Sequence, residues 1–530
     1  MAFAANKHTL SGDERNYTMM QAFEWYTPGG GNHWKWLADN APHFADIGIT
    51  AVWIPPPTKG ASEDSTGYDI YDLWDLGEFP KNPDEPEKIR TKYGTRKELE
   101  ETMAKLRENG IAIYIDAVLN HKMGADKPET FKVQPVAEDN REQDAGEAHD
   151  IEGWTGYTFP GRKGKYSEFQ YNFNHFTAVD YDNKTGDKGI FRILGKNKHF
   201  AEDTDNENGN YDFLMGSDVD HAHSEVREDM IKWGQWLVRT FPISGFRFDA
   251  IKHFSSAFLR DFIHAMREEA RKVREEQGKE KLDESEGPIC FSVGEYWKDD
   301  VDTCLKYLGD FGDEQFSLFD APLHYNFVEA GDAGNGYDLR KIFDGSIVQK
   351  RPIDAVTLVE NHDTQPGQSL ASPVSATFKP LAYAITLLRQ DGYPCIFLGD
   401  LHGCHADGDE QPSVPPMSDL SKFIKARKHF AFGEQRDYWD HPTTVGWVRM
   451  GTEQHPDGCA VVLCVGDEEG TKRMEVGKEQ AGKVYVDAIG WMPDTEVTIG
   501  EDGWAEFKSP AHSVAVWVNK EAKLLPEVTK

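Results

Sequence analysis

The chain lacks a long hydrophobic run, is sparing with cysteine and is short of positive charge. No stretch of about 18 apolar residues occurs anywhere in its 530 positions, which excludes a membrane-spanning helix. There are six cysteines: Cys290, Cys304, Cys395, Cys404, Cys459 and Cys464. None stands in a CxxC or Cys/His zinc spacing, and several fall inside apolar runs, so they read as buried free thiols. Free thiols lean towards a reducing compartment. Lys and Arg number 58 against 91 Asp and Glu, a net charge of −33. That balance excludes nucleic acid, whose phosphates demand a basic surface, and an anionic membrane surface. It suits a neutral substrate. The N-terminal MAFAANKHTLSGDERNY has neither the basic nor the apolar region of a signal peptide. The expectation is a cytoplasmic protein, with secretion as the alternative, because a chain that had lost its leader would read the same.

Apolar residues are plentiful by contrast, at 38%, with 14 Trp, 19 Tyr and 30 Phe, so a large core can be buried. The length allows about three domains, although an α/β barrel takes roughly 250 residues as one. Short apolar runs at 18–25, 49–55, 111–120, 243–250, 290–297, 316–323, 355–363 and 395–400 give eight strand candidates. They are continuous rather than alternating, as strands covered on both faces should be. Helical patterns lie between them, at 95–109, 224–241, 255–277, 379–389 and 418–430. Thr95 and Ser255 offer caps, and Gly110 a stop. This alternation predicts an α/β fold, a (β/α)8 TIM barrel. About a hundred residues after the third strand are rich in Asp, Asn, Gly and aromatics, too many for a loop. The predicted division is a barrel of 1–120 and 225–432, an inserted irregular domain at 121–224, and a C-terminal antiparallel β-sandwich at 433–530. Alternating runs at 444–449, 460–465, 483–487 and 513–518 carry the last of these.

In such a barrel the polar ends of the strands build the active site. Here they are unusually charged: Asp116 to His121 on strand three, Arg247, Asp249, Lys252 and His253 on strand four, Glu295 and Trp297 on strand five, and Glu360 to Asp363 on strand seven. Arg247 and Asp249 are two apart and share a strand face. The arginine is expected to hold Asp249 ionised, as a nucleophile requires. Glu295, beside Trp297, is expected to stay protonated and act as an acid. Two carboxyls with separated proton affinities are what retaining glycoside hydrolysis needs. Asp363 would hold sugar hydroxyls and stabilise positive charge on the ring. Carboxyl separation cannot be read from sequence, so inversion stays open on these grounds.

Asp116…Asn120-His121, Gly245–His253, Glu295 and Asn361-His362-Asp363, in that order, resemble the four short regions of the α-amylase family of glycoside hydrolases. MQAFEWYTP, GYDIYDLWDLGEF, FRFDAIKHF and VENHDTQPGQSL extend the resemblance to its bacterial liquefying type over almost the whole chain. The resemblance implies endo-hydrolysis, with retention, of α-1,4-glucosidic bonds in starch, glycogen or maltodextrins; a monomer is expected. It implies sugar contacts at the cleavage point for His121 and His362, and stacking for Tyr68. Lys252 and His253 would bind the reducing-side glucose, Trp297 would add an aromatic platform, and Arg247 would serve the same site. It also implies a structural calcium on Asn120, Asp212, Asp218 and the carbonyl of His253, oxygen donors that suit a hard cation. Asp180 and Asp220 match ligands of a further sodium and second calcium, but Ala201 and Ala222 stand where more aspartates are needed. One calcium is therefore expected, with the extra ions weak or absent. Two other readings remain: an α-glucanotransferase using the same glucosyl-enzyme, and a non-catalytic carbohydrate-binding protein, which predicts a missing carboxylate where none is missing.

Overall fold

The computed structural model describes residues 15–278, 289–407 and 412–529. The N-terminal stretch read for a leader lies outside them as far as residue 14. Eight parallel strands close into a barrel. They are β1 (Met19–Gln21), β2 (Ala51–Ile54), β3 (Ala112–Ala117), β4 (Gly245–Phe248), β5 (Phe291–Gly294), β6 (Ser317–Phe319), β7 (Ala355–Leu358) and β8 (Tyr393–Phe397). Seven lie within their expected apolar runs, and β8 begins two residues before its run and ends three before the run does. Alternate residues face inward: Ala51, Trp53, Tyr114, Phe291, Val293, Val356 and Leu358 fill the barrel, while Val52, Ile54, Ile113, Ile115, Phe246 and Phe248 pack under the helices. Both faces are buried, which is why the strands read as continuous apolar runs. The helix Arg96–Glu108 begins on a Thr95–Glu98 capping box, and Ser255 caps Ser256–Glu276 by accepting from Phe258 N–H.

The register sets the height of the polar layer. Arg247 on β4 lies opposite Asp116 on β3 and Val293 on β5. One step further, Asp249 N–H donates to the Ala117 carbonyl at 3.1 Å, and Glu295 N–H to the Phe248 carbonyl at 3.0 Å. The ladder thus runs past the strand ends and carries both acids to the same mouth.

The insertion after β3 is more regular than its composition suggests. It forms a six-stranded antiparallel sheet around a long hairpin of Lys127–Val136 and His149–Gly156. One hairpin face is solvated, so polar residues interrupt the apolar pattern. A short strand, His121–Lys122, pairs with Ser217–Val219, placing His121 opposite Asp218. The C-terminal region forms a six-stranded antiparallel sheet covered by the pair Gly470–Glu475 and Trp504–Ser509. Val448, Val462, Met474, Phe507 and Trp517 pack between them. The four expected strands are present, joined by Gln435–Tyr438, Glu496–Thr498 and the covering pair. Four of the six outward residues of the covering pair, Arg473, Glu475, Glu506 and Lys508, are charged, which hid it from hydropathy.

Candidate active site

One guanidinium organises the barrel mouth. Arg247 is fully buried. Its Nη1 lies 2.7 Å from Asp249 Oδ1 and 2.8 Å from Asp116 Oδ1, and its Nη2 donates to Glu295 Oε2. The expected pairing with Asp249 is present, but the arginine is not reserved for it. Asp116, read only as a strand-end acid, is a hub: its Oδ2 accepts from Trp53 Nε1 and Tyr68 OH, both at 2.8 Å. The indole of Trp53 also lies under the guanidinium, 4.5 Å from ring centre to Cζ. Directly after Asp249, Ala250 holds a left-handed conformation at φ 48°. A non-glycine residue in that region costs about 1–3 kcal/mol, and such strain concentrates at functional sites.

Asp363 reaches the mouth from the turn after β7. Asn361 Oδ1 accepts from the backbone N–H of Asp363 and of Thr364, each at 2.9 Å, which fixes the turn. Burial pushes Asp363 up to about 7, with the charge of Asp249 adding to the rise and Arg247 opposing it. Burial also raises Glu295 well above the carboxylate range; Arg247 opposes this, while Asp249, Asp363 and Asp116 reinforce it. Asp116 rises to about 6, mainly by burial. Crowding of carboxylates around one cation disfavours charging all of them, and the rise is marked at Glu295. Its partnership with Arg247 makes desolvation and carboxylate crowding, rather than the absence of a cation, the cause.

His362 is buried and kept neutral, its basicity lowered by burial and by Arg247. Its tautomer follows from its neighbours. Gln21 Nε2 lies 3.0 Å from Nδ1, and the carboxylate of Asp363 lies 3.5 Å from Nε2. An amide NH2 group only donates, so Gln21 donates to Nδ1, and the proton of the neutral ring sits on Nε2, aimed at the mouth. The rings of His362, Tyr68 and Trp25 lie nearly parallel, with centroids 4.9 to 6.0 Å apart, and form one wall. Gln21 and Trp25 were missed in the sequence reading, although both stand in the quoted MQAFEWYTP segment.

The other expected sugar contacts are distributed differently. His121 is buried with Nε2 2.7 Å from the Tyr68 carbonyl and Nδ1 3.3 Å from Asn120 Nδ2, so it positions Tyr68. A sugar contact would require exchanging one of those partners. Lys252 and His253 follow Asp249 on the turn Ile251–His253. Among the described residues neither bonds to the three acids; both reach into the insertion. Lys252 Nζ lies 3.3 Å from the Trp297 carbonyl and 3.4 Å from Glu207. His253 Nδ1 lies 2.9 Å from the Tyr211 carbonyl, and its ring is buried. Trp297 is buried, with Nε1 donating to Tyr325 OH at 3.0 Å.

A second acid cluster lies where the insertion meets β3. Asp212 and Asp218 are both buried, and among the described residues no Lys or Arg forms an ion pair with either. Burial raises Asp212 to about 8 and Asp218 well above the usual range. Asn120 Oδ1 is buried without a hydrogen-bond partner. Asp212 accepts from Ala201 N–H and Asp218 from Thr177 Oγ1, and the orphaned amide oxygen belongs to the residue before His121, which pairs with Asp218; a hard cation suits such oxygens. Asp220, expected at an extra ion, is instead paired with Lys198. Asp180 accepts from Gly216 N–H at 2.7 Å.

Acids grouped around one arginine at the mouth of an eight-stranded barrel define a barrel hydrolase working through a pair of carboxylates. The chain belongs to the α-amylase family. The family described as alpha amylase, catalytic domain, matches residues 21–429, and the alpha-amylase C-terminal family matches 461–518. It is 43% identical over 507 residues to the glucan 1,4-alpha-maltohexaosidase of Bacillus sp. (strain 707), covering 95% of this chain and 93% of that protein. It is 42% identical to the cytoplasmic alpha-amylase of Escherichia coli (strain K12), covering 96% and 99%. The alpha-amylase of Geobacillus thermoleovorans, solved with acarbose, has the same fold at a TM-score of 0.59 and 17% identity, covering 96% and 99% of the two chains.

Proposed function

We propose that this chain hydrolyses internal α-1,4-glucosidic bonds of starch, glycogen or maltodextrins with retention at the anomeric carbon. The observation that carries the chemistry is a buried Glu295, whose proton affinity burial raises, beside an Asp249 fixed by Arg247. Asp249 Oδ attacks the anomeric carbon while Glu295 gives its proton to the leaving glycosidic oxygen. Glu295, now a carboxylate, takes a proton from the water that cleaves the glycosyl ester. Asp363 and the Nε2–H of His362 bind hydroxyls of the distorted sugar, and Tyr68 lies against its face. Lys252, His253 and Trp297 border the reducing side. The relatives named for amylase activity across nearly the full chain support the substrate class. The matching layout is 1–120 with 225–432 as the catalytic barrel, 121–224 as the insertion and 433–530 as the C-terminal sandwich.

One calcium would be held by Asn120 Oδ1, Asp212, Asp218 and the His253 carbonyl. When bound it supplies the positive charge that the two carboxylates lack, fixing the insertion to the barrel. We place the enzyme in the cytoplasm, as a monomer. All six cysteines are buried and unpaired, and one close relative carries the word cytoplasmic in its name. No described helix is long and apolar enough to cross a membrane. The test is a product profile on soluble starch with the anomeric form followed by NMR. New reducing ends in the α-configuration are expected. Redistributed chain lengths without new reducing ends would mark a transferase, and β-products would mark inversion.

A further inference from the structure

A buried ammonium occupies an oxygen cage in the insertion. Lys198 and Asp220 have side chains only 8% and 9% exposed. Lys198 Nζ lies 2.6 Å from Asp220 Oδ2 and 3.1 Å from the Phe176 carbonyl, and it also donates to the Asn174 carbonyl. Three oxygens thus meet the three donors of one ammonium, so each N–H has an acceptor. Asp220 is tied down further. Its Oδ1 accepts from Ala222 N–H at 3.1 Å, and its own N–H donates to the His175 carbonyl at 3.0 Å. The lysine therefore clamps the segments around 174–176 and 198 to the one at 220–222, two residues from Asp218.

A carboxylate with two carbonyls is a donor set that hard metal ions also take. Here the positive charge arrives covalently. Ala201 and Ala222 add no oxygen ligand from their side chains, and the single charge of Asp220 is already matched. The nearby trio of His175, His223 and Glu225, the described group close enough to hold a metal through its side chains, does not offer an alternative. His175 Nδ1 accepts from Asn172 N–H at 3.0 Å, which leaves the proton on Nε2, the nitrogen that faces Glu225.

We propose that Lys198 is a built-in structural cation that replaces a second metal ion at Asp220, so that the insertion closes around one bound metal. The inference rests on the single-calcium reading of Asn120, Asp212 and Asp218, and the experiment separates the two. The full chain is loaded with calcium, freed of loose ions by gel filtration, assayed for metal and melted in a calorimeter. The wild type should retain one calcium, and further calcium or sodium should leave its melting temperature unchanged. Lys198→Met should keep that calcium yet melt about 5 °C lower, the size expected for a broken buried ion pair. If the variant folds poorly, Asp220→Asn and the double variant decide: coupling requires the double to be no worse than the worse single. The triple variant Lys198→Ala, Ala201→Asp, Ala222→Asp should bind a further ion and become stabilised by added calcium or sodium.

Wild-type protein holding two or more tight ions, or Lys198→Met melting like wild type, overturns the proposal. A triple variant that gains no ion reduces Lys198 to an ordinary buried ion pair and overturns it too. Wild type holding no calcium while Lys198→Met still melts early would sink the calcium reading and leave the lysine as the internal cation.

Discussion

The barrel mouth and the insertion each bury several carboxylates within a short distance, but they balance the charge in different ways. At the mouth, Asp116, Asp249, Glu295 and Asp363 surround one guanidinium. There burial and crowding raise the proton affinity of Asp116, Glu295 and Asp363. In the insertion, Asp220 has a lysine of its own, while Asp212 and Asp218 have no partner cation among the described residues. Protons are mobile and respond to chemistry; an ammonium or a metal ion is fixed. On the proposed reading the first cluster exchanges a proton during a reaction, and the second, with calcium bound, would hold two parts of the chain together. Perturbed carboxyls alone would not have separated them. What separates them, on that reading, is whether a proton or a bound metal ion makes up the missing positive charge.

The largest expected effect tests the first half of that contrast. Asp249→Asn should lower turnover on starch by about 10⁴-fold or more, as loss of a nucleophile does, with unchanged melting and circular dichroism. Glu295→Gln should be equally poor on starch. On an aryl maltoside with an activated leaving group it should recover much of the first step, because that group departs without a proton. Equal losses of Glu295→Gln on both substrates would remove the acid role from Glu295.

Metal removal tests the second half. At calcium 1,000-fold above its dissociation constant, binding to the folded state contributes about 4 kcal/mol. A chelator should therefore lower the melting temperature, and calcium should restore it. Asp218→Asn should melt low with or without chelator. A chelator that abolishes activity while leaving melting unchanged would make the insertion cluster part of the chemistry and erase the distinction.

A pH profile gives a smaller effect of definite sign. Glu295 must carry its proton, so kcat/KM falls as pH rises through its raised pKa. Burial is the first cause of that rise, and the negative charge of Asp363 adds to it. Asp363→Asn removes that charge, so Glu295 ionises earlier and the alkaline limb moves to lower pH, on top of any loss in rate. Movement to higher pH would mean that the limb belongs to another group. Stability has the same sign: an acid whose proton is held more tightly in the folded state contributes most at low pH, and the contribution is lost as pH rises through the folded value.

Much of this contrast was legible in the sequence because periodicity and strand-end position are local. All eight barrel strands could be found from apolar runs. Asp249, Glu295 and Asp363 stood out as acids at strand ends, and Asp212 and Asp218 through family resemblance. What could not be read was side-chain partnership across the barrel. Arg247 looked like the partner of Asp249 because they are neighbours in sequence. Its bonds to Asp116 and Glu295 cross 131 and 48 positions. Nor could the contacts of the His121 nitrogens with the Tyr68 carbonyl and Asn120 be read. The sheet of the insertion was hidden because a half-solvated strand carries polar residues that resemble loop composition.

The smallest expected effect concerns Gln21, and it probes how finely the mouth controls its protons. Gln21 is buried, and its Nε2 donates to His362 Nδ1. Its Oε1 has no partner. Turning the amide over would leave the NH2 group unpaired instead, which costs more than an unpaired carbonyl. The amide thus fixes the Nε2–H form of His362. Gln21→Leu removes a hydrogen bond worth about 1 kcal/mol, so kcat/KM should fall by roughly fivefold to tenfold with little change in melting. Gln21→Glu is the sharper test. A carboxylate there accepts from Nδ1–H and draws the proton away from Nε2, or makes the ring a cation. Nitrogen NMR of a chain labelled at histidine should report that exchange, and activity should drop further than in Gln21→Leu. If Gln21→Glu keeps the wild-type tautomer and rate, the wall of His362, Tyr68 and Trp25 acts by shape alone, and proton control at the mouth is confined to its carboxyls.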